Sequence, residues 1–402
     1  MDIRSTVDTH LQVLSVQIGT RPIGTEGHKR AEEHIYQSFG EYGYETNKLS
    51  FPCQAWINNY AKLQLNDKEF PCLANTFSKS CNVSTSYVMA RDLKELEQIE
   101  ADGKIIVLSG NLTEDFIFPY GFSIFNLENH KRLNELLMEK SPPAVITICS
   151  RGGRASPIIE DWDLGIPSVS VTQEIGSRIV SRNDNIINLN MSTSFVESSA
   201  SNVIARKVGK SKKVLLCAHS DTKYGTPGAI DNGCGVAVLL ALAKKISDKS
   251  FPFTVEFVTF AGEETYALGE IKYFEEYEEE LKDLLLVINV DGVGLAASFP
   301  SVVTFGTDQR IESIVDESMK TCSTFRRVEP WYAGDHTMFV YRNIPCIAIS
   351  SQVFGQNIAT ITHCELDTYD IVSIDHLEET INFIENILIG IPEKNPIYLK
   401  YY

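Results

Sequence analysis

The chain lacks any apolar run long enough to cross a bilayer. Stretches such as 236–243 fall far short of the roughly 18–20 residues a crossing helix needs. The opening Met1-Asp2-Ile3-Arg4-Ser5 leads into no uninterrupted apolar segment, so no secretory leader is expected. Positive charge is scarce: 36 Lys and Arg stand against 53 Asp and Glu, a formal net charge of −17. Nucleic-acid binding needs clustered positive charge at the phosphates, so that class is set aside. There is no C-x-x-C, and the nine widely spaced cysteines are an odd number. They read as reduced, mostly buried thiols rather than a disulfide framework, and the expected compartment is the cytoplasm. Repeats and low-complexity tracts are also missing. What remains is 402 residues, 43 % hydrophobic. That is enough apolar content for a full core, and enough length for two domains or one domain with an insertion.

The texture changes along the chain. Residues 9–18 and 29–42 carry apolar positions at helical spacing, with a loop dense in Gly, Pro and Thr between them. From about 51 to 198, short β-like runs dominate, at 105–109, 144–149 and 168–171, with one helical stretch at 129–140. From about 202 onward strand and helix alternate. Strands are expected at 214–218, 253–260, 284–290 and 344–350, and helices at 236–246, 269–281, 309–321 and 374–389. Such alternation predicts an α/β sandwich with a mostly parallel central sheet. The expected division is 1–55 with 199–402 as the main domain and 56–198 as a β-rich insert.

In open α/β sheets, chemistry sits beyond the carboxyl ends of the strands. Polar residues gather at those ends here: His219 and Asp221, Asp231 in a Gly-rich loop, Glu263-Glu264, Asp291, and His363. Any one of them has an ordinary explanation, such as a helix cap or a solvated carboxylate. Together they suit a divalent metal, because imidazole with carboxylate matches Zn²⁺, and Mn²⁺ or Co²⁺ as substitutes. Five ligands with one bridging Asp give three protein ligands to each of two ions and leave room for a shared water. Two such ions would acidify that water and polarise a carbonyl, while a carboxylate off the metal takes the proton.

At these residues the sequence resembles the dizinc aminopeptidase family of clan MH. That group includes leucyl-type aminopeptidases, glutamate carboxypeptidase, glutaminyl cyclases and the inert transferrin receptor. Leu215-Leu216-Cys217-Ala218-His219-Ser220-Asp221 is similar to its strand ending in His-x-Asp. Pro227-Gly228-Ala229-Ile230-Asp231-Asn232-Gly233-Cys234-Gly235-Val236 resembles P-G-A-x-D-N-x-S-G-V. Val258 to Glu264, Asn289 to Gly294, Asp335-His336-Thr337-Met338-Phe339 and His363 with Asp367-Thr368 continue the likeness. Gly19-Thr20-Arg21-Pro22-Ile23-Gly24-Thr25 resembles the family's usual opening, and the insert resembles a protease-associated domain.

The resemblance implies a three-layer α/β/α zinc-exopeptidase sandwich holding two Zn²⁺. His219 and Asp291 would hold one ion, Glu264 and His363 the other, and Asp231 would bridge them. Asp221 would orient the His219 imidazole, and Glu263 would be the general base to a metal-bridging hydroxide. Asp335 and His336 are candidates for substrate binding. The implied substrate is a peptide with a free N-terminus, cleaved at its first bond, with no membrane partner. A carboxypeptidase or dipeptidase, using a basic pocket drawn from Arg310, Arg326, Arg327 or Arg342, is an alternative on the same fold. So are a glutaminyl-cyclase-like enzyme and a non-catalytic receptor-like module. Many members carry Tyr immediately before the second His, where this chain has Thr362. A Tyr elsewhere, a metal or His336 would then stabilise the tetrahedral intermediate. His10, His28, His34, His130 and His376 read as surface or structural; Trp56, Trp162 and Trp331 could line a pocket, with core packing the first reading for each.

Overall fold

A computed structural model describes residues 2–65, 68–122, 126–150, 153–181, 186–209, 212–357 and 361–392. The chain forms two compact units, Met1–Gln54 with Glu197–Tyr402, and Ala55–Val196.

The first unit is built on four parallel strands in the order Cys346–Ser351, Leu284–Val290, Lys213–His219, Thr254–Phe260. Antiparallel neighbours flank them, Pro300–Phe305 on one side and Ile187–Lys207 on the other. The central strands are buried over nearly their whole length, which is why they read as continuous apolar runs rather than as alternation. Alternation survives in which face each residue supplies. Val214, Leu216 and Ala218 join the core on one side, with helices Cys234–Lys245, Gln309–Thr321 and Ile374–Gly390. Leu215 and Cys217 join the core on the other side, with Tyr273 and Phe274 of helix Leu268–Tyr277 and Phe339 of His336–Val340. Period-two strands between two helical layers make the α/β/α sandwich.

Helix Cys234–Lys245 is buried from Cys234 to Ala243 without a polar face. It sits against the sheet and is covered in turn by the N-terminal and C-terminal helices Ile3–Gln12 and Ile374–Gly390. A helix apolar all round needs such cover on every side. Strand Pro300–Phe305 was not anticipated. Its neighbour Cys346–Ser351 fixes it by antiparallel register, Ser301 opposite Ser350.

The second unit holds a five-stranded sheet, Leu73–Ala74, Ser168–Val171, Val145–Ile148, Ile105–Leu108 and Tyr87–Ala90. The last four run parallel to one another. The unit carries more helix than its strand-like texture suggests. Leu93–Gln98 and Gln173–Val180 accompany Glu128–Lys140. Both are short, and Asp92 and Thr172 cap them through side-chain oxygens. Trp56 and Trp162 pack within this unit around Phe77.

Leu216 lies at the centre of the first unit's sheet with no exposed surface. Leu216→Ala is expected to cost about 2–5 kcal/mol. Calorimetry would show a lowered melting transition for this unit, and an unmoved transition would take Leu216 out of the core.

Candidate active site

The carboxyl ends of the four parallel strands bring the predicted polar residues together. His219 is the last residue of its strand, Asp291 directly follows Val290, and Glu263-Glu264 follow the turn after Phe260. His219 Nε2 lies 3.0 Å from Asp231 Oδ1 and 3.5 Å from Asp291 Oδ1. His363 Nε2 lies 3.0 Å from Asp231 Oδ2 and 3.4 Å from Glu264 Oε1. The two oxygens of Asp231 therefore face two different imidazoles. In each trio, His219 with Asp231 and Asp291, and Asp231 with Glu264 and His363, the donor atoms lie within 4.8 Å of one another.

Three carboxylates so close repel one another. Burial, opposed in part by the His219 imidazole, raises the Asp291 pKa above its ordinary value. The same burial acts on Asp231, but the two imidazoles outweigh it and pull this carboxyl down. Burial opposes charging of His219 and His363, yet the surrounding carboxylates push both well above the usual imidazole range. Asp291 Oδ1 and Glu264 Oε1 are buried and have no hydrogen-bond partner among the described residues. Orphaned carboxylate oxygens beside converging imidazoles are the donor set a divalent cation satisfies. The residues fit such an ion.

Asp221 serves more than His219. Its backbone oxygen lies 3.2 Å from His219 Nδ1, and one carboxylate oxygen lies 3.7 Å from the same nitrogen. The carboxylate also accepts hydrogen bonds from the backbone N–H groups of Gly262 (2.8 Å), Glu263 (3.2 Å) and Glu264 (3.3 Å). One buried anion thus fixes the imidazole and the turn that presents both glutamates. Burial opposes its charge, but His219 and these N–H groups hold its pKa below the ordinary range.

Asp231 is held by a comparable device. Asp367 accepts from the backbone N–H groups of Ile230 (2.6 Å) and Asp231 (3.0 Å). Asn232 donates to Val290 O at 2.9 Å and accepts from Gly235 N at 3.0 Å. The Asp231–Asn232 peptide bond is cis. Gly235 packs so closely that a Cβ would stand 2.4 Å from Val290 O, so only glycine fits. Behind this loop lies Arg21, fully buried, whose guanidinium donates to five backbone carbonyls: Leu14, Gly19, Ser220, Pro227 and Gly228. It ties the N-terminal segment to the His219 turn and the Asp231 loop. The motif around Arg21 marked the segment, but nothing in the sequence marked this role.

A cavity of about 450 Å³ opens over these groups. Glu263 lines it and belongs to neither trio. Burial, with Glu264 and Asp291 nearby, raises the Glu263 pKa well above that of a free glutamate.

Asp335 and His336 are not among the described residues that line the cavity. They are 1 % and 0 % exposed. His336 Nε2 donates to Trp331 O at 3.0 Å, and its Nδ1 accepts from Asn289 Nδ2 at 3.2 Å. Burial pushes this imidazole down to about 4, so it is neutral. Asp335 faces Glu270, and burial with that second carboxyl raises its pKa. These residues carry the loop from below. Gly334 and Trp331 of that loop form the cavity wall, and Trp331 also packs against the core on that side of the sheet. Thr362 is buried immediately before His363. No tyrosine lines the cavity among the described residues, and neutral, buried His336 does not reach it.

Residues 202–388 match the model of Peptidase family M28. A leucine aminopeptidase 2 of Trichophyton equinum is 25 % identical over 288 residues, covering 68 % of this chain and 54 % of the relative. Aminopeptidase YwaD of Bacillus subtilis is 28 % identical over 173 residues, 42 % of this chain and 37 % of the relative. The chain spans about half the length of the first of these curated relatives. Among solved structures, BSAP, a zinc aminopeptidase from Bacillus subtilis, superposes with a TM-score of 0.79 at 19 % identity. The match covers 99 % of this chain and 98 % of that one. A peptidase M28 precursor from Shewanella amazonensis gives 0.79 at 21 %, covering 99 % and 95 %. These structures share the fold.

A divalent ion bound only by the folded chain must stabilise it. Zinc added to metal-free protein is expected to raise the melting temperature by about 4 °C or more, and chelator to reverse it. An Asp231→Asn variant should lose most of that response, and an unchanged response would place the ion elsewhere. Asp221→Asn sets an amide against N–H donors. It should weaken zinc affinity about 10–100-fold in a competitive chelator titration.

Proposed function

We propose that the chain is a zinc-dependent aminopeptidase that holds two ions and removes the N-terminal residue of a peptide. The observation that carries this is the pair of trios sharing Asp231, with Glu263 beside them in one cavity. His219, Asp231 and Asp291 would hold one ion, and Asp231, Glu264 and His363 the other. The curated relatives named leucine aminopeptidase, and the zinc aminopeptidase with the same fold, support the reading. When bound, the ions supply Lewis acidity, lowering the pKa of water and polarising a carbonyl.

The chain's own groups do the rest. The Glu263 carboxylate accepts a proton from the attacking water and delivers it to the departing amine. Its place in the cavity beside the two trios, and outside both, suits a group that must first take and then give that proton. Asp221 holds the Glu263-Glu264 turn and the His219 ring, so the base and the ligands keep their separation as the proton moves.

The cavity's charge supports cleavage from the amino end rather than the carboxyl end. Its described walls include Glu263, Glu264, Asp231, Asp291 and Glu329 and no Lys or Arg. The arginines that might have read a substrate carboxylate are engaged elsewhere. Arg310 pairs with Asp308, and Arg327 pairs with Glu312 and Asp316. Arg326 lies over Phe299, and Arg342 lies over Phe274. Bound ions would offset Asp231, Asp291 and Glu264, which leaves Glu263 and Glu329 to attract an ammonium and repel a carboxylate.

Glu263→Gln should retain zinc while kcat falls at least about 100-fold. Near-normal kcat would remove Glu263 as the base. Acetylating the substrate's N-terminus should abolish release, whereas amidating its C-terminus should not. The reverse pattern would point to a carboxypeptidase.

A further inference from the structure

The cavity wall carries, on the strand next to Asp291, a polar group that the proposed hydrolysis does not use. Ser350 lines the cavity, is 2 % exposed, and its hydroxyl oxygen is buried without a hydrogen-bond partner. A buried hydroxyl left unpaired is costly, and such groups in native proteins call for an explanation. Its neighbours are already engaged. Ser301, opposite it in the strand register, donates to Ser350 O at 3.1 Å. Ser351 accepts from Leu295 N at 3.3 Å. Ser350 alone among these three hydroxyls lacks a partner among the described residues.

The surroundings narrow what would pair with it. Val328, Trp331 and Phe354 supply apolar wall for methylene groups. Glu329 adds an exposed carboxylate to the lining, and no described lining residue is cationic. A side chain with an apolar stem and a positively charged, donor-bearing end fits all three features. Acidic ends are repelled. Purely alkyl ends would bury against the unpaired hydroxyl and leave it unpaired.

Resting on the aminopeptidase reading, we propose that this cavity selects peptides whose first residue is basic, lysine or arginine, over isosteric alkyl residues. Ser350 provides the hydrogen bond to the side-chain terminus. Glu329 provides favourable charge. The two contributions differ physically. A hydrogen bond in a buried wall is insensitive to salt, whereas attraction to an exposed carboxylate is screened within about 8–10 Å at ordinary ionic strength.

The experiment compares zinc-loaded protein on lysyl, norleucyl and glutamyl p-nitroanilides. Norleucine keeps the lysine stem and removes the ammonium. The expected order in kcat/KM is lysyl above norleucyl by about tenfold or more, with glutamyl slowest. Ser350→Ala should lower the lysyl-to-norleucyl ratio by several-fold at low and high salt alike. Glu329→Gln should lower it at low salt and much less at high salt. The wild-type panel decides the question even if Ser350→Ala does not fold, and Glu329 is a surface residue whose substitution spares the core. Norleucyl turnover equal to or above lysyl would overturn the proposal and leave the aminopeptidase standing. Release from none of the free-amine substrates by zinc-loaded protein would overturn both.

Discussion

The sharing of Asp231 between two imidazoles is the constraint on which the rest of the site depends. One carboxylate has to place each oxygen about 3 Å from a different histidine, and those histidines lie far apart in sequence, at 219 and 363. A side chain with so few torsions does this only if its backbone is held. The holding is done by backbone contacts rather than by packing alone. Asp367 receives the N–H groups of Ile230 and Asp231, Asn232 spans to Val290, and Gly235 permits the approach. Asp367 lies four residues beyond His363, so the same short segment that supplies one imidazole also fixes the loop its partner carboxylate comes from. Burial and Asp231 push the Asp367 pKa up to about 8. Two N–H donors and the nearby Arg21 guanidinium are what support a charge there.

Arg21 extends that logic beyond the loops. A buried guanidinium is tolerated when it is hydrogen-bonded, and here every nitrogen donates to backbone carbonyls, drawn from three separate stretches of chain. Burial pulls its pKa down to about 10, while Asp367, Asp221 and Asp231 act against that pull. The positive charge is thus placed where the site's buried carboxylates need it, yet it contacts carbonyls, which leaves the carboxylates free for other partners. Lysine could not replace this fork, because its donors radiate from one atom.

Much of this was legible in the residues, for identifiable reasons. Buried parallel strands leave uninterrupted apolar runs, so 214–218 and 284–290 were visible as strands, and the polar residues just beyond them were visible as candidates. Strand Pro300–Phe305 was not, because its pairing with Cys346–Ser351 is a tertiary fact without a local signature. The same holds for side-chain direction. Asp335-His336 sits in a motif next to the site, but helix His336–Val340 turns both residues inward, and Trp331 emerges instead. Spacing reports neighbourhood, whereas facing is decided by what the element packs against. Hydrogen bonds donated by the Gly262–Glu264 turn to the Asp221 carboxylate were equally invisible, since they join residues some forty positions apart.

The concentration of negative charge explains both the fold's cost and its use. Asp231, Asp291 and Glu264 are buried close enough to repel, and two of their oxygens have no hydrogen-bond partner among the described residues. A fold selected for stability alone would replace such groups by apolar ones. Their placement just beyond the strand ends is the pattern of a site that stores unfavourable interaction for a ligand to relieve. A divalent cation between the imidazoles is what these carboxylates suit. In the proposed function Glu263 and Glu329, which belong to neither trio, are the carboxylates left to face the substrate's amine once the ligand carboxylates are offset.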